Sequence, residues 1–236
     1  MIDIRPFGSL GGADHGWLKA RHHFSFAHYN DPARMNWGRL RVWNDDEIAP
    51  GTGFDAHPHR DMEIITYVRE GAITHKDNMG NQGRTEAGDV QIMSAGTGVV
   101  HAEYNLESTT TKIFQIWIIP DRRGAAPNWG AKSFPKAGRD AAFEVLASGR
   151  PQDAGQGALP LYVNGAVMAA TLKAGQTLVQ TLPEGRAAYL VPAKGAVTVN
   201  GQALAERDGA GIVDEPEIAI TAAEDAELVL VEVAKE

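Results

Sequence analysis

Two pairs of side chains in the first half of the chain have the spacing of metal ligands. His57-Pro58-His59 places two imidazoles at positions i and i+2. They share one face of an extended segment, because successive side chains of a strand point to opposite sides. Pro58 points away and stiffens the segment. The same spacing recurs in His101-Ala102-Glu103. If that second pair lies on a neighbouring strand, three neutral nitrogens and one carboxylate meet. Such a set suits one Fe, Mn, Co, Ni, Cu or Zn ion, with positions left for water, O2 or substrate. A lone His-x-His is common. What singles these pairs out is the glycine framework around them: Gly51 and Gly71 bracket the first, and Gly88 and Gly96 precede the second.

The elements that must carry these residues read as short strands. Alternating or β-branched runs recur at 37–45, 62–70, 72–77, 90–94 and 112–119. They recur again at 161–165, 167–173, 187–192, 196–201, 218–221 and 226–233. Gly, Asn, Asp and Pro punctuate them, with explicit turns at 77–83 and Asn200-Gly201. This pattern predicts an all-β sandwich or barrel. One helical turn is expected near 31–38, with Asp31 as N-cap and Pro32 at the first helical position. Residues 121–160 are rich in Gly, Pro and Ala and read as a linker containing a strand-like run at 142–147. The two halves each resemble a string of short strands, so duplication of one barrel is the expected plan.

Composition narrows the chemistry. The 236-residue chain has no cysteine, which excludes disulfides, thiolate zinc sites, iron–sulfur clusters and a catalytic thiol. All eight histidines lie in residues 15–101, so imidazole chemistry belongs to the first half. After Glu103 there is neither His nor Cys, so the second half is expected to be structural, a lid or an interaction surface. The net charge of −8 has no basic arm or stripe to offset it, which disfavours direct contact with nucleic acid or with anionic membranes. No run approaches the ~20 apolar residues of a membrane span. The first residues lack the apolar core of a secretory signal, and the cytoplasm is the expected location.

The longer strings around the ligand pairs have a family likeness. The segments Gly51–Gly71 and Gly88–Asn105 resemble the two cupin motifs. Together with HHFSFAHYNDP (22–32), RVWNDDEI (41–48), DNMGN (77–81) and MSAGTGVVHAEYN (93–105), they resemble the pirin family, and within it the bacterial pirin-like quercetin dioxygenases. The dense likeness spans residues ~15–120. It implies an all-β bicupin, two tandem jelly-roll β-barrel domains. The expected division is residues 1–125 as the metal-binding cupin, 126–159 as linker and packing segment, and 160–236 as a degenerate second cupin. It also implies one divalent transition metal held by His57, His59, His101 and Glu103, with Fe the first expectation and Zn, Cu, Ni, Mn or Co the others. Glu63 occupies the usual cupin carboxylate position, and Glu103 displaces it as ligand. Counting residues from His59 puts Glu63 on the same face, so Glu63, with His22 and Phe54, is expected to line the pocket or support a ligand. His15, His23, His28 and His75 read as surface or loop residues.

The implied activity is metal-dependent opening of the heterocyclic ring of a flavonol such as quercetin by O2. Glu103 would serve as both ligand and catalytic base for the 3-hydroxyl, and carbon monoxide would leave. The rival reading is a non-catalytic metal-binding regulator that acts through a protein partner. A third is a cupin acting on another small enol or hydroxy compound, since a scaffold cannot name its substrate. A monomer is expected.

Overall fold

The structure is a computed structural model and describes residues 1–136 and 139–236. It is built from strands joined by turns, with no α-helix among the described residues. None of its helical turns is long and apolar enough to cross a membrane. The first half contributes β1 (Ile2–Arg5), β2 (Gly11–Asp14), β3 (Leu18–His22), β4 (Leu40–Ile48), β5 (Gly53–His59) and β6 (Glu63–Glu70). It continues with β7 (Ala72–Asp77), β8 (Gln82–Glu86), β9 (Val90–Ser94), β10 (Val99–Tyr104), β11 (Thr111–Ile118) and β12 (Asn128–Lys132). The second half contributes β13 (Glu144–Ser148), β14 (Leu159–Pro160), β15 (Ala166–Leu172), β16 (Thr177–Thr181) and β17 (Arg186–Lys194). After these come β18 (Val197–Val199), β19 (Gln202–Leu204), β20 (Gly209–Val213), β21 (Glu217–Ala222) and β22 (Ala226–Ala234).

Each barrel closes a seven-stranded sheet against a four-stranded one. The first pairs β12-β9-β6-β11-β4-β3-β2 with β5-β10-β7-β8. The second pairs β1-β20-β17-β22-β15-β13-β14 with β16-β21-β18-β19. The two large sheets pack face to face. Alternation along β6 sends Ile65 and Tyr67 outward into this shared layer, where they meet Trp43, Phe114, Tyr189, Val229 and Val231. It sends Ile64 and Val68 inward, into the apolar lining of the first barrel. Each large apolar side chain removed from water contributes about 1.5–3 kcal/mol, so this layer fixes one barrel on the other. The second barrel fills its own interior with Met168, Leu190, Ile212, Ile220 and Leu228.

The layer also carries charge. Asp45, buried on β4, accepts from Arg69 of its own barrel and from Arg207 of the other. Tyr67 donates to Glu227 across the same boundary. His23, expected at the surface, is fully buried there, with its Nδ1 2.9 Å from the Tyr189 hydroxyl. Burial, and then the charges of Arg5, Arg34 and Arg207, hold the His23 pKa down to about 3 from 6.5. The unfolded chain therefore takes up this proton first. The stability tied to a neutral His23 is complete above pH 6.5 and is lost as pH falls toward about 3. Urea unfolding over that range should give a flatter pH dependence for His23→Phe than for the wild type. Parallel curves would remove His23 from the acid response.

The strand runs at 62–70, 72–77, 90–94 and 226–233 correspond to β6, β7, β9 and β22. The helical turn is a 3-10 turn at Pro32–Arg34, with the Asp31 carboxylate accepting from Ala33 N at 2.9 Å. Three expectations differ. Residues 161–165 form no strand; they bend at the boundary between barrels. Residues 126–159, expected as linker and packing segment with a strand-like run at 142–147, carry β13 over that run and also two strands not expected, β12 in the first large sheet and β14 in the second. Within residues 1–125, β1 belongs to the second barrel, pairing antiparallel with β20 from Ile2↔Ile212 to Arg5↔Gly209.

Candidate metal centre

The four-stranded sheet of the first barrel brings three of the four expected ligands, His57, His59 and His101, into one cluster, and places Glu103 in the same cavity but outside that cluster. β5 and β10 run antiparallel, with His57 opposite His101 and His59 opposite Val99. Within β10 the buried positions are Val99, His101 and Glu103, so alternation turns the last two inward together. A bulge between His101 and Glu103 sets Phe54 opposite Glu103, so that two residues of β5 face Ala102 alone. That extra residue turns Phe54 and His57 to the same side, which even spacing forbids. Gly53 permits the close approach of the strands, because a Cβ there would lie 2.2 Å from the Glu103 carbonyl oxygen.

His57, His59 and His101 each offer a ring nitrogen within 4.8 Å of the others. Their ring centroids are 4.6–5.0 Å apart. His57 Nδ1 donates to the Asp55 carbonyl oxygen at 2.6 Å, so Nε2 is the bare nitrogen of the neutral ring. His101 Nε2 is buried with no hydrogen-bond partner among the described residues. Burial and the neighbouring imidazoles hold His59 down to about 4 and His101 down to about 3, so both rings are neutral near pH 7. A buried, neutral and unpartnered nitrogen in a cluster of three imidazoles fits a transition ion.

Glu103 lies in the same cavity with its carboxylate held from the barrel wall. Its Oε1 accepts from Thr66 Oγ1 at 3.0 Å and Gln91 Nε2 at 2.6 Å. Its Oε2 accepts from Gln115 Nε2 at 2.9 Å, and Gln115 in turn receives Trp117 Nε1 at 3.3 Å. Oε1 is thus doubly engaged and Oε2 keeps an open lone pair.

The cavity has a volume of about 570 Å³ and opens beside the imidazoles. Trp17 and Phe54 meet edge to face at 5.3 Å on one side. Phe26 and Trp117 do the same at 5.4 Å on the other. His22 and Phe54 both line this cavity. His22 Nδ1 lies 2.8 Å from Asn44 Oδ1, and burial lowers its pKa. Glu63 is elsewhere. It is not among the cavity-lining residues, and its Oε2 accepts from Ser94 Oγ at 2.7 Å and Tyr162 N at 3.1 Å. Counting from His59 fails because Arg60–Met62 interrupt the strand, with Asp61 at φ 48°. On β6 the residue shares the face of Ile65 and Tyr67, toward the second barrel.

Sequence reasoning missed several residues here. Thr66, Gln91 and Gln115 hold Glu103, and neutral polar residues on strands carry no signal in a single sequence. Asp46 lines the cavity with a buried Oδ1 that has no hydrogen-bond partner among the described residues. Burial, then the Asp45 and Glu103 charges, raise its pKa well above the usual carboxylate range. His75 was expected at the surface but is 1% exposed. A signal existed, because Ile73, His75 and Asp77 alternate on one face and Ile73 is apolar.

Residues 4–118 match the pirin family, and residues 145–233 match the quercetinase C-terminal cupin domain. A pirin-like protein of Caulobacter vibrioides is 66% identical over 234 residues, covering 99% of this chain and 100% of its own. The chain belongs to the pirin family. This pirin is also 41% identical over 231 residues to the quercetin 2,3-dioxygenase of Escherichia coli K12, covering 98% of this chain and 97% of that protein. Among solved structures it is similar to the bacterial pirin YhhW of Escherichia coli in complex with nickel(II). That match has a TM-score of 0.92 and 39% identity and covers 99% of both chains. The bicupin fold expected from the motifs is therefore the fold of this pirin.

Proposed function

We propose that this pirin is a metal-dependent dioxygenase that opens the heterocyclic ring of flavonols such as quercetin with O2. The observation that carries the reading is the cavity itself. Three imidazoles converge with an unpartnered Nε2 among them, beside a carboxylate and between aromatic walls. Relatives at 41% identity bear the name quercetin 2,3-dioxygenase, which supports the substrate class.

In this reading His57, His59, His101 and Glu103 hold one divalent transition ion, and iron is the first to test. A bound ion of this class supplies a Lewis acid for the substrate oxygen and an electron path to O2. The protein's own part is positioning and proton transfer. Trp17, Phe54, Phe26 and Trp117 receive a flat polyphenol and exclude water from its rings. Glu103 would hold the ion only loosely, through the open lone pair of Oε2, and that same position takes the 3-hydroxyl proton when substrate arrives. Thr66, Gln91 and Gln115 meanwhile hold the carboxylate in place. The flavonolate then consumes one O2: the C2–C3 and C3–C4 bonds break, carbons 2 and 4 each gain one of its oxygen atoms, and carbon 3 leaves with its own oxygen as carbon monoxide.

The test is quercetin consumption by purified, iron-loaded protein with and without O2, with headspace carbon monoxide measured alongside. Loss that requires O2, exceeds that with free iron and releases one carbon monoxide per quercetin is expected. Stoichiometric metal without O2-dependent loss would overturn the reading and leave a metal-binding regulator as the surviving alternative.

A further inference from the structure

The proposed ligand His101 touches a second buried histidine that the proposed reaction does not use. His75 on β7 lies in register with Glu103, diagonal to His101 across the β7–β10 pair. Its Nδ1 is 3.3 Å from His101 Nδ1, and its Nε2 is 3.1 Å from Asp77 Oδ2. The Asp77 carboxylate is fixed in turn. Its Oδ1 accepts from Met79 N and Asn81 N, both at 2.9 Å, and its Oδ2 accepts from Asn81 Nδ2 at 2.9 Å. The His75 ring is stacked on Trp129, with centroids 4.9 Å apart and planes 12° from parallel. Room for that indole exists because Gly83, the β8 residue opposite His75, has no side chain. A Cβ there would lie 2.3 Å from Trp129.

These contacts fix the protons in sequence. A carboxylate only accepts, so His75 carries its proton on Nε2 and donates to Asp77. In the neutral ring its Nδ1 is then bare and can only accept. His101 therefore carries its proton on Nδ1 and donates to His75. Its Nε2 is left bare, and this is the buried atom with no partner. In the opposite tautomer of His101, two bare nitrogens would face each other at 3.3 Å in a buried site.

We propose that His75 and Asp77 are positioning residues. They form an oriented chain, Asp77–His75–His101, that sets the tautomer and ring angle of His101 so that a bare Nε2 meets the metal. The inference rests on the reading of His101 as a ligand. It goes beyond that reading by giving His101 a support different from that of its neighbour: His57 is fixed by a neutral backbone carbonyl, whereas His101 is fixed through a second imidazole by a carboxylate. The negative charge at the far end makes His101 the more strongly donating nitrogen. A His–Asp pair serving packing alone would not need the contact between the two Nδ1 atoms.

Asp77→Asn tests the direction of the chain. The amide oxygen can keep the Met79 and Asn81 backbone donors, while the amide NH2 now faces His75 Nε2. His75 must then move its proton to Nδ1 and present a donor to His101. Long-range 15N–1H spectra of the apo full chain should show His101 protonated on Nδ1 in the wild type and redistributed in Asp77→Asn. Zinc affinity, read by chelator competition, should fall about 10–100-fold in Asp77→Asn. His75→Gln, whose amide oxygen can accept from His101 Nδ1, should bind zinc more tightly than His75→Leu. A wild-type His101 protonated on Nε2 overturns the proposal, as does an Asp77→Asn affinity within twofold of the wild type. If variants fail to fold, the wild-type spectrum still decides. A wild type that binds no zinc while showing the predicted tautomer would defeat the ligand reading and leave the proton chain standing.

Discussion

His101→Ala should purify as a folded protein that no longer holds stoichiometric metal. His101 is the most buried of the three converging imidazoles, and its Nε2 has no other partner among the described residues. Removing it leaves two half-buried rings and the Glu103 carboxylate, whose Oε1 is already taken by Thr66 and Gln91, so the set loses its one buried nitrogen and with it the stoichiometric hold on the ion. In the apo form the variant also leaves His75 Nδ1 without its donor, at a cost of about 1–3 kcal/mol. The fold survives, because the large apolar layer between the barrels and the second core take no part in the site. Thermal shift separates the two effects. A metal present at about 1,000 times its Kd stabilises the wild type by roughly 4 kcal/mol. For a chain of this size that is about 8–16 °C of metal-dependent rise in Tm, and it should vanish in the variant. Full metal occupancy in His101→Ala would remove this residue from the ligand set.

Glu103→Gln should keep the ion and lose turnover. The substitution preserves shape but removes the proton acceptor at Oε2, and general-base loss of this kind costs about 10²–10⁴ in kcat. The surroundings sharpen the effect. Thr66, Gln91 and Gln115 all present donors to this carboxylate. An amide NH2 in place of either oxygen meets a donor. Turning Gln115 to accommodate it would sacrifice the oxygen that receives Trp117 Nε1. Metal content by elemental analysis should stay near stoichiometric with some loss of affinity, while O2-dependent quercetin consumption falls by at least about 10². Unchanged turnover would show that the base lies elsewhere, and Asp46, buried in the same wall, would be the next residue to replace.

How much of this was legible in the sequence depended on whether a residue's face could be counted. His57, His59, His101 and Glu103 sit in pairs within single strands, so alternation was enough to place each pair on one side. Glu63 could not be reached by the same count, because three residues interrupt the strand and the parity restarts on β6. Phe54 reaches the cavity only through a bulge, which nothing in the local sequence announces. His23 reads as a surface residue because a lone polar residue gives no sign of what will pack over it, and for His75 the face shared with apolar Ile73 signals burial without naming the cover. Their covers, Tyr189 for one and Trp129 for the other, arrive from far along the chain. Barrel number was visible in the strand punctuation, whereas strand exchange between barrels depends on pairings some 200 residues apart.

That exchange bears on how the molecule is made. The strand Ile2–Arg5 leaves the ribosome some 200 residues ahead of its partner Gly209–Val213. The first barrel can assemble while synthesis continues, since its own strands are all translated by Lys132. The leading strand must wait, with its hydrogen-bonding edge unsatisfied, until the second barrel forms around it. Completion of the later barrel thus captures a strand made well before it, and a nascent chain stalled before that point would carry a tethered, unpaired strand open to pairing with neighbours.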